Sequence, residues 1–338
     1  MKIKKLILAI FLFTFALSEN LFAKALPPGT GIGDVPANVL ILLDKSGSMG
    51  WRMSGGTTGM RFPYDAAADS NGDILVSQFD RDGVKKFVYD TATLDSGFGN
   101  NGISGKGNST YEGNNQCKTS YSYSGEVYND VYYTTAYYER AVVAINASTG
   151  KCVRKYNLGF YPYSMTIDQS TGYLYVGGGI NGGFKTINLA NNSMSNCSLH
   201  RIFKEGYSST VSGGYYYFYT RSHIWRSTLY TSGSRCPMNS WSYFGYNAGH
   251  YVGLEANPNS ATELWTLSWN NSRMEKITVN SAGNGYTRNS QWGSRSMSST
   301  TASSTYFYYP WGLGWDSTNN RVIAADLNKG AVQIFDTN

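Results

Sequence analysis

Apolar residues in this chain fall in short runs separated by polar, glycine-rich breaks. Val39 to Leu43 is a run of five, Ile74-Leu75-Val76 a run of three, and Tyr173-Leu174-Tyr175-Val176 a run of four. Each is bounded by Gly, Asn, Asp or Ser, residues that favour turns. After Met49 no stretch of useful length shows the three-to-four spacing of an amphipathic helix. β-branched and aromatic residues fill the runs, as strands require. The pattern predicts an all-β chain.

The runs repeat. Pro63-Tyr64-Asp65-Ala66-Ala67-Ala68-Asp69, Pro162-Tyr163-Ser164-Met165-Thr166-Ile167-Asp168 and Pro310-Trp311-Gly312-Leu313-Gly314-Trp315-Asp316 align without gaps. Each Asp opens a polar turn, and the side chain of an Asp in such a place bonds its own backbone. Asp69, Asp168 and Asp316 are therefore expected to form turns and not to act as acids or bases. Two further strands follow in each unit, ending at Lys86–Asp90, Phe184–Asn188 and Val332–Asp336. The first two prolines are 99 residues apart and the next two 148, which is two and three units of about 49 residues. Looser units fill the gaps. Tyr123–Asn157 carries predicted strands Val127–Thr134 and Val142–Asn146. Tyr207–Trp241 carries Tyr215–Thr220 and Ile224–Thr228. Tyr251–Gln291 carries Leu264–Ser268 and Met274–Val279.

Six units of this length predict a six-bladed β-propeller over residues 62–338, because small sheets bury both faces by stacking around an axis. A β-helix or sandwich also accommodates short strands, but the 49-residue period favours the propeller. The repeat resembles the NHL type, with its Pro, spaced apolar pair, Asp, Gly and apolar strand. The last unit supplies only three strands. Its open edge calls for a fourth, either Val39–Leu43 or residues beyond 338 of a longer parent, and the second is the expectation.

Composition adds a compartment. Lys2, Lys4 and Lys5 precede an apolar run from Leu6 to Leu17, and Ala23-Lys24-Ala25 is a small-residue cleavage site. This is a secretory signal peptide over residues 1–23 and not a membrane span. Its removal takes three Lys and one Glu, lowering the formal charge from +6 to about +4. No basic patch remains, so nucleic acid is not an expected partner, and no transmembrane span is expected after cleavage. Only 15% of residues are charged, against 28 Tyr and 38 Gly. That excludes coiled coils and acidic disordered tails. Cys117, Cys152, Cys197 and Cys236 are even in number, lack C-x-x-C spacing, and fit disulfides in an exported protein. Three pairings are open. Cys152, Cys197 and Cys236 follow the third strands of successive blades and Cys117 precedes the second blade, which favours Cys117–Cys152 and Cys197–Cys236.

The segment Ala37 to Met49 carries candidate metal chemistry. A doubly buried strand ends in Asp44-x-Ser46-x-Ser48, and one carboxylate with two hydroxyls at alternate positions suits Mg²⁺. These residues resemble the first strand and metal-ion-dependent adhesion loop of von Willebrand factor A domains. Residues 24–61 then read as a fragment of such a domain, either truncated or interrupted by an inserted propeller, with three metal contacts at best.

Catalytic signals are thin. No G-x-S-x-G, phosphate loop or His beside a nucleophile occurs, and the chain is not expected to be an enzyme. The Tyr132-Tyr133, Tyr137-Tyr138, Tyr215–Tyr217 and Tyr306–Tyr309 clusters suit a binding surface, with ordinary strand alternation as the competing reading. An exported chain with an A-domain motif and a propeller resembles the type IV pilus tip-associated adhesins (the PilY/PilC family). That resemblance implies adhesion to a protein or glycan at a cell surface, with pilus components as further partners, and an exported location at the periplasm, outer surface or beyond. The alternatives are an envelope scaffold and a propeller enzyme, either a lyase or a quinone-dependent dehydrogenase.

Overall fold

A computed structural model describes residues 39–43, 60, 62–79, 83–105, 117–179, 182–198, 206–220, 222–246, 252–295, 306–328 and 330–337. Among these there is no helix, and the strands form six antiparallel sheets in the blade arrangement of a propeller, with one further short parallel pair, Ser294–Arg295 with Tyr306–Phe307. The innermost strands, in blade order, are Pro63–Ala68, Gly125–Tyr128, Ser164–Asp168, Ser208–Ser212, Val252–Ala256 and Pro310–Asp316. They are neighbours in sequence order around a ring, and the sixth touches the first.

The core is divided among the six blade-to-blade boundaries. Leu75 and Val84 of blade 1 meet Tyr132 and Val143 of blade 2. Tyr133 and Val142 then meet Ile167 and Leu174 of blade 3. Ile323 and Val332 of the last blade pack on Ile74 and Val76 of the first, which closes the ring. Middle strands are buried on both faces, which is why they read as apolar runs without alternation. Each fully buried Leu, Val, Ile or Phe stabilises the stack by about 1.5–3 kcal/mol relative to exposure.

The strand Tyr215–Thr220 shows where some of the clustered tyrosines go. Tyr216 and Phe218 face blade 3, while Tyr217 and Tyr219 face blade 5. Tyr132 and Tyr133 divide in the same way. These rings are core, not binding surface, because a two-residue period sends neighbours to opposite faces of a sheet covered on both sides. The Tyr132 hydroxyl is satisfied by Ser77 Oγ at 2.6 Å.

Two local readings change. The predicted strand Val127–Thr134 is a hairpin, Gly125–Tyr128 and Val131–Ala136, split at Asn129-Asp130 with φ of 48° and 57°. Asn and Asp tolerate that left-handed region, and a two-residue turn of this kind matches strand twist. The fourth strand of the last blade is Val39–Leu43, not a segment beyond residue 338. It pairs antiparallel with Ala331–Asp336 in the register Val39 to Phe335 and Leu43 to Ala331. The edge that needed covering is thereby covered by the chain's own N-terminal side.

The repeated aspartates form turns. Asp69 Oδ1 accepts the N–H groups of Asn71 and Asp73 at 2.9 and 3.0 Å. Asp316 Oδ1 accepts those of Thr318 and Asn319, both at 3.0 Å. Asp69 also pairs with the buried Lys86 at 2.7 Å. Disulfides join Cys117 to Cys152 and Cys197 to Cys236. The first ties the connection between blades 1 and 2 to the outer strand of blade 2. The second joins the outer parts of blades 3 and 4.

Candidate functional site on the propeller axis

The inner strands place equivalent residues at equivalent depths along the axis. The first level is aromatic, with Tyr64, Tyr123, Tyr163, Tyr207 and Trp311 from five of the six blades. Tyr64 lies 5.0 Å from Tyr123 and 4.7 Å from Trp311, centroid to centroid, and Tyr123 lies 4.8 Å from Tyr163. These rings form a collar at one mouth. At the other mouth lie the turns that follow the inner strands.

Below the collar the axis narrows to a cavity of about 20 Å³ lined by Asp65, Ser124, Glu126, Met165, Leu254, Glu255 and Leu313. It then widens into a funnel of about 870 Å³. The funnel wall carries hydroxyl, amide and carboxylate groups, among them Ser70, Asn129, Asp130, Asp168, Gln169, Ser212, Asn259 and Ser317, with Trp315 and Tyr128 as its aromatic members. Arg235 is the one basic residue among its described lining residues, and it lies 3.7 Å from Asp168. Glu126 and Glu255 line both the constriction and the funnel, and so form its floor.

Cross-blade hydrogen bonds fix this geometry. Gly125 N–H donates to Asp65 Oδ2 at 3.0 Å, and Ile167 N–H donates to Glu126 Oε2 at 2.9 Å. Leu254 and Ala256 N–H donate to Ser208 Oγ and Thr210 Oγ1, both at 3.0 Å. In blades 2, 3 and 5 an inner-strand N–H is thus taken by a side chain of the preceding blade. Burial pushes the Asp65 carboxyl well above the carboxylate range, against the pull of the Gly125 and Ala66 N–H groups. Burial pushes Glu126 up to about 7. Glu255 rises through burial, and then through the charges of Glu126 and Asp65. A carboxyl near neutrality can exchange protons or meet a donor group of a ligand.

The residues singled out from the sequence for metal binding, Asp44, Ser46 and Ser48, lie outside the described residues. Among the described residues no group of three His, Cys, Asp or Glu is arranged to hold a metal ion. Asp65, Glu126 and Glu255 were not singled out. The available signal was an acid inside an apolar strand, as in Gly125-Glu126-Val127 and Leu254-Glu255-Ala256. Such an acid stays only where something partners or uses it.

No protein-family model matches the chain, and no curated protein matches its sequence. Solved structures do match in fold. An auxiliary nutrient binding protein from Bacteroides thetaiotaomicron superposes with a TM-score of 0.55 at 10% identity, covering 82% of this chain and 69% of that one. Virginiamycin B lyase from Staphylococcus aureus gives 0.55 at 14% identity, covering 89% and 99%. Hydrazine synthase of Kuenenia stuttgartiensis gives 0.52 at 10%, covering 85% and 99%. The likeness is one of fold, and it spans binding proteins and enzymes alike.

Proposed function

We propose that this chain is an exported binding protein that receives a small polar ligand in the axial funnel. The observation that carries this reading is the funnel itself, about 870 Å³, with polar side chains set among apolar ones along its wall. Ligand sites are concave, of this order of size, and supplied with a few convergent polar groups. One fold neighbour, an auxiliary nutrient binding protein, agrees with it. Export is supported by the two disulfides and by the N-terminal segment. Attachment to a cell-surface protein or glycan is the form of binding favoured by the resemblance at residues 37–49. A pilus role and Mg²⁺ at Asp44, Ser46 and Ser48 belong to that form. If attachment to cells is indifferent to both EDTA and Asp44→Ala, that part falls.

The test of the funnel is a thermal-shift screen of the purified chain against small polar solutes, repeated with Ser317→Trp. Ser317 is an exposed funnel residue. The expected result is a stabilising solute whose effect disappears in the variant. A shift that survives the variant places the ligand elsewhere.

An enzyme reading is favoured by one observation, the Glu126 carboxyl at about 7 on the floor of the funnel. That value suits a general acid or base, and one fold neighbour is a lyase. Turnover lost in Glu126→Gln with binding retained would favour this reading over simple capture.

A further inference from the structure

A second cavity lies on the collar face, away from the funnel. It encloses about 440 Å³ and is lined by Tyr137, Arg140, Phe160, Tyr161, Tyr163 and Tyr207, with glycines making up the rest of the wall. Tyr137 and Tyr161 lie 4.8 Å apart with their planes tilted by 31°. At that distance and tilt Tyr137 overlaps Tyr161 in a stack, and Tyr161 is 38% exposed. Neighbouring Tyr138 is 58% exposed and meets Tyr137 edge-on at 5.2 Å. The glycine side of the groove is bare for a reason. A Cβ at Gly179 would stand 2.6 Å from the Tyr163 ring, and one at Gly178 would stand 2.5 Å from Phe160. Side chains there would push both rings out of place and fill the groove.

Arg140 gives the groove its polarity. Its guanidinium stacks on the Tyr161 ring at 4.5 Å and donates from Nη2 to the Tyr161 hydroxyl at 2.8 Å. It has no ion-pair partner among the described residues, and no carboxylate stands in the described lining. The acid next to it in sequence, Glu139, is engaged by Lys118 at 3.5 Å and Lys155 at 3.6 Å. An exposed tyrosine in an aromatic groove, with one guanidinium fork beside it, matches a ring that has an apolar face and a carboxylate substituent.

We propose that this groove binds an acidic saccharide, with a pyranose ring packed against the exposed part of Tyr161 and its carboxylate held by Arg140. The site is independent of the funnel and does not rest on the reading above. A neutral aromatic groove of this kind would equally suit an extended proline-rich peptide, but such a peptide leaves Arg140 without a counter-charge.

The test is calorimetric titration of the purified full chain with tetragalacturonate, with its methyl ester, and with a proline-rich decapeptide. The expected result is binding of the acid, with at least tenfold weaker binding of the ester. Arg140→Gln should bring the acid down to the level of the ester and leave the ester unchanged. Tyr161→Ala, at an exposed ring, should weaken both. The proposal is overturned by equal binding of acid and ester, by acid binding indifferent to Arg140→Gln or Tyr161→Ala, by preference for the peptide, or by no binding of any saccharide to a chain whose thermal transition is intact.

Discussion

The Gly125 N–H donates to Asp65 Oδ2 at 3.0 Å, so a carboxylate of the first blade closes on the inner strand of the second. The edge of an inner strand that faces the channel has no neighbouring strand to pair with, and this bond supplies the missing acceptor. Asp65→Ala leaves the N–H buried and unsatisfied, a loss of about 1–3 kcal/mol. Asp65→Asn keeps an acceptor and is expected to lose less. Urea midpoints of the two variants decide the matter. Equal losses would mean that the bond contributes nothing and that only the volume of the side chain counts.

Glu126 makes the stability of the fold depend on pH in a stated direction. Its carboxyl sits at about 7 in the folded chain, against 4.5 ordinarily. The folded state therefore holds this proton more tightly than the unfolded state does. Stability from this group is fully present below pH 4.5, declines as pH rises, and is gone above about 7. Asp65 and Glu255 act in the same direction. Glu126→Gln keeps an acceptor for Ile167 N–H and removes the titration. Its stability relative to the parent should rise between pH 4.5 and 7.5. Parallel curves for the two proteins across that range would show that the carboxyl is not desolvated.

Much of the architecture was legible in the sequence because the repeat carries it. Proline, aromatic and Asp at fixed spacing mark where an inner strand begins and where its turn must start, and Asp69, Asp168 and Asp316 do in the fold what their chemistry suggested. The axis was harder to read. Asp65 lies inside a motif that reads as a plain strand, while Glu126 and Glu255 lie in two of the three blades with looser repeats. What makes them a site is that separate blades point them at one channel, and no local spacing encodes that. The tyrosines misled for a related reason. Alternation sends Tyr216 and Tyr217 to different blade boundaries, whereas the collar is assembled from single tyrosines far apart in the chain.

The two disulfides are expected to contribute through different boundaries. Cys197–Cys236 closes a loop of 39 residues and crosses from blade 3 to blade 4, where Tyr175, Phe184 and Tyr216 are packed. Replacing both cysteines by Ser should cost about 2–4 kcal/mol, chiefly by freeing the unfolded chain. Hydrogen exchange should quicken at that boundary first. Peptide mapping of the unreduced protein checks the pairing itself, and a Cys117–Cys197 peptide would contradict it.

Closure of the ring rests on the pairing of Val39–Leu43 with Ala331–Asp336, where Ile41 stands opposite Gln333 and Leu42 opposite Val332. In an antiparallel ladder alternate residues turn their N–H toward the partner strand. Proline placed at Ile41 and, separately, at Leu42 must therefore strike one bonded N–H and one free N–H, and it cannot supply the bonded one. One variant should lose several degrees of Tm and show rapid hydrogen exchange across Ala331–Asp336, while the other is nearly silent. The sensitive variant should also aggregate on warming, because an uncovered outer strand offers its edge to a second chain. If both prolines leave exchange at Ala331–Asp336 slow, the last blade is closed by something other than this strand.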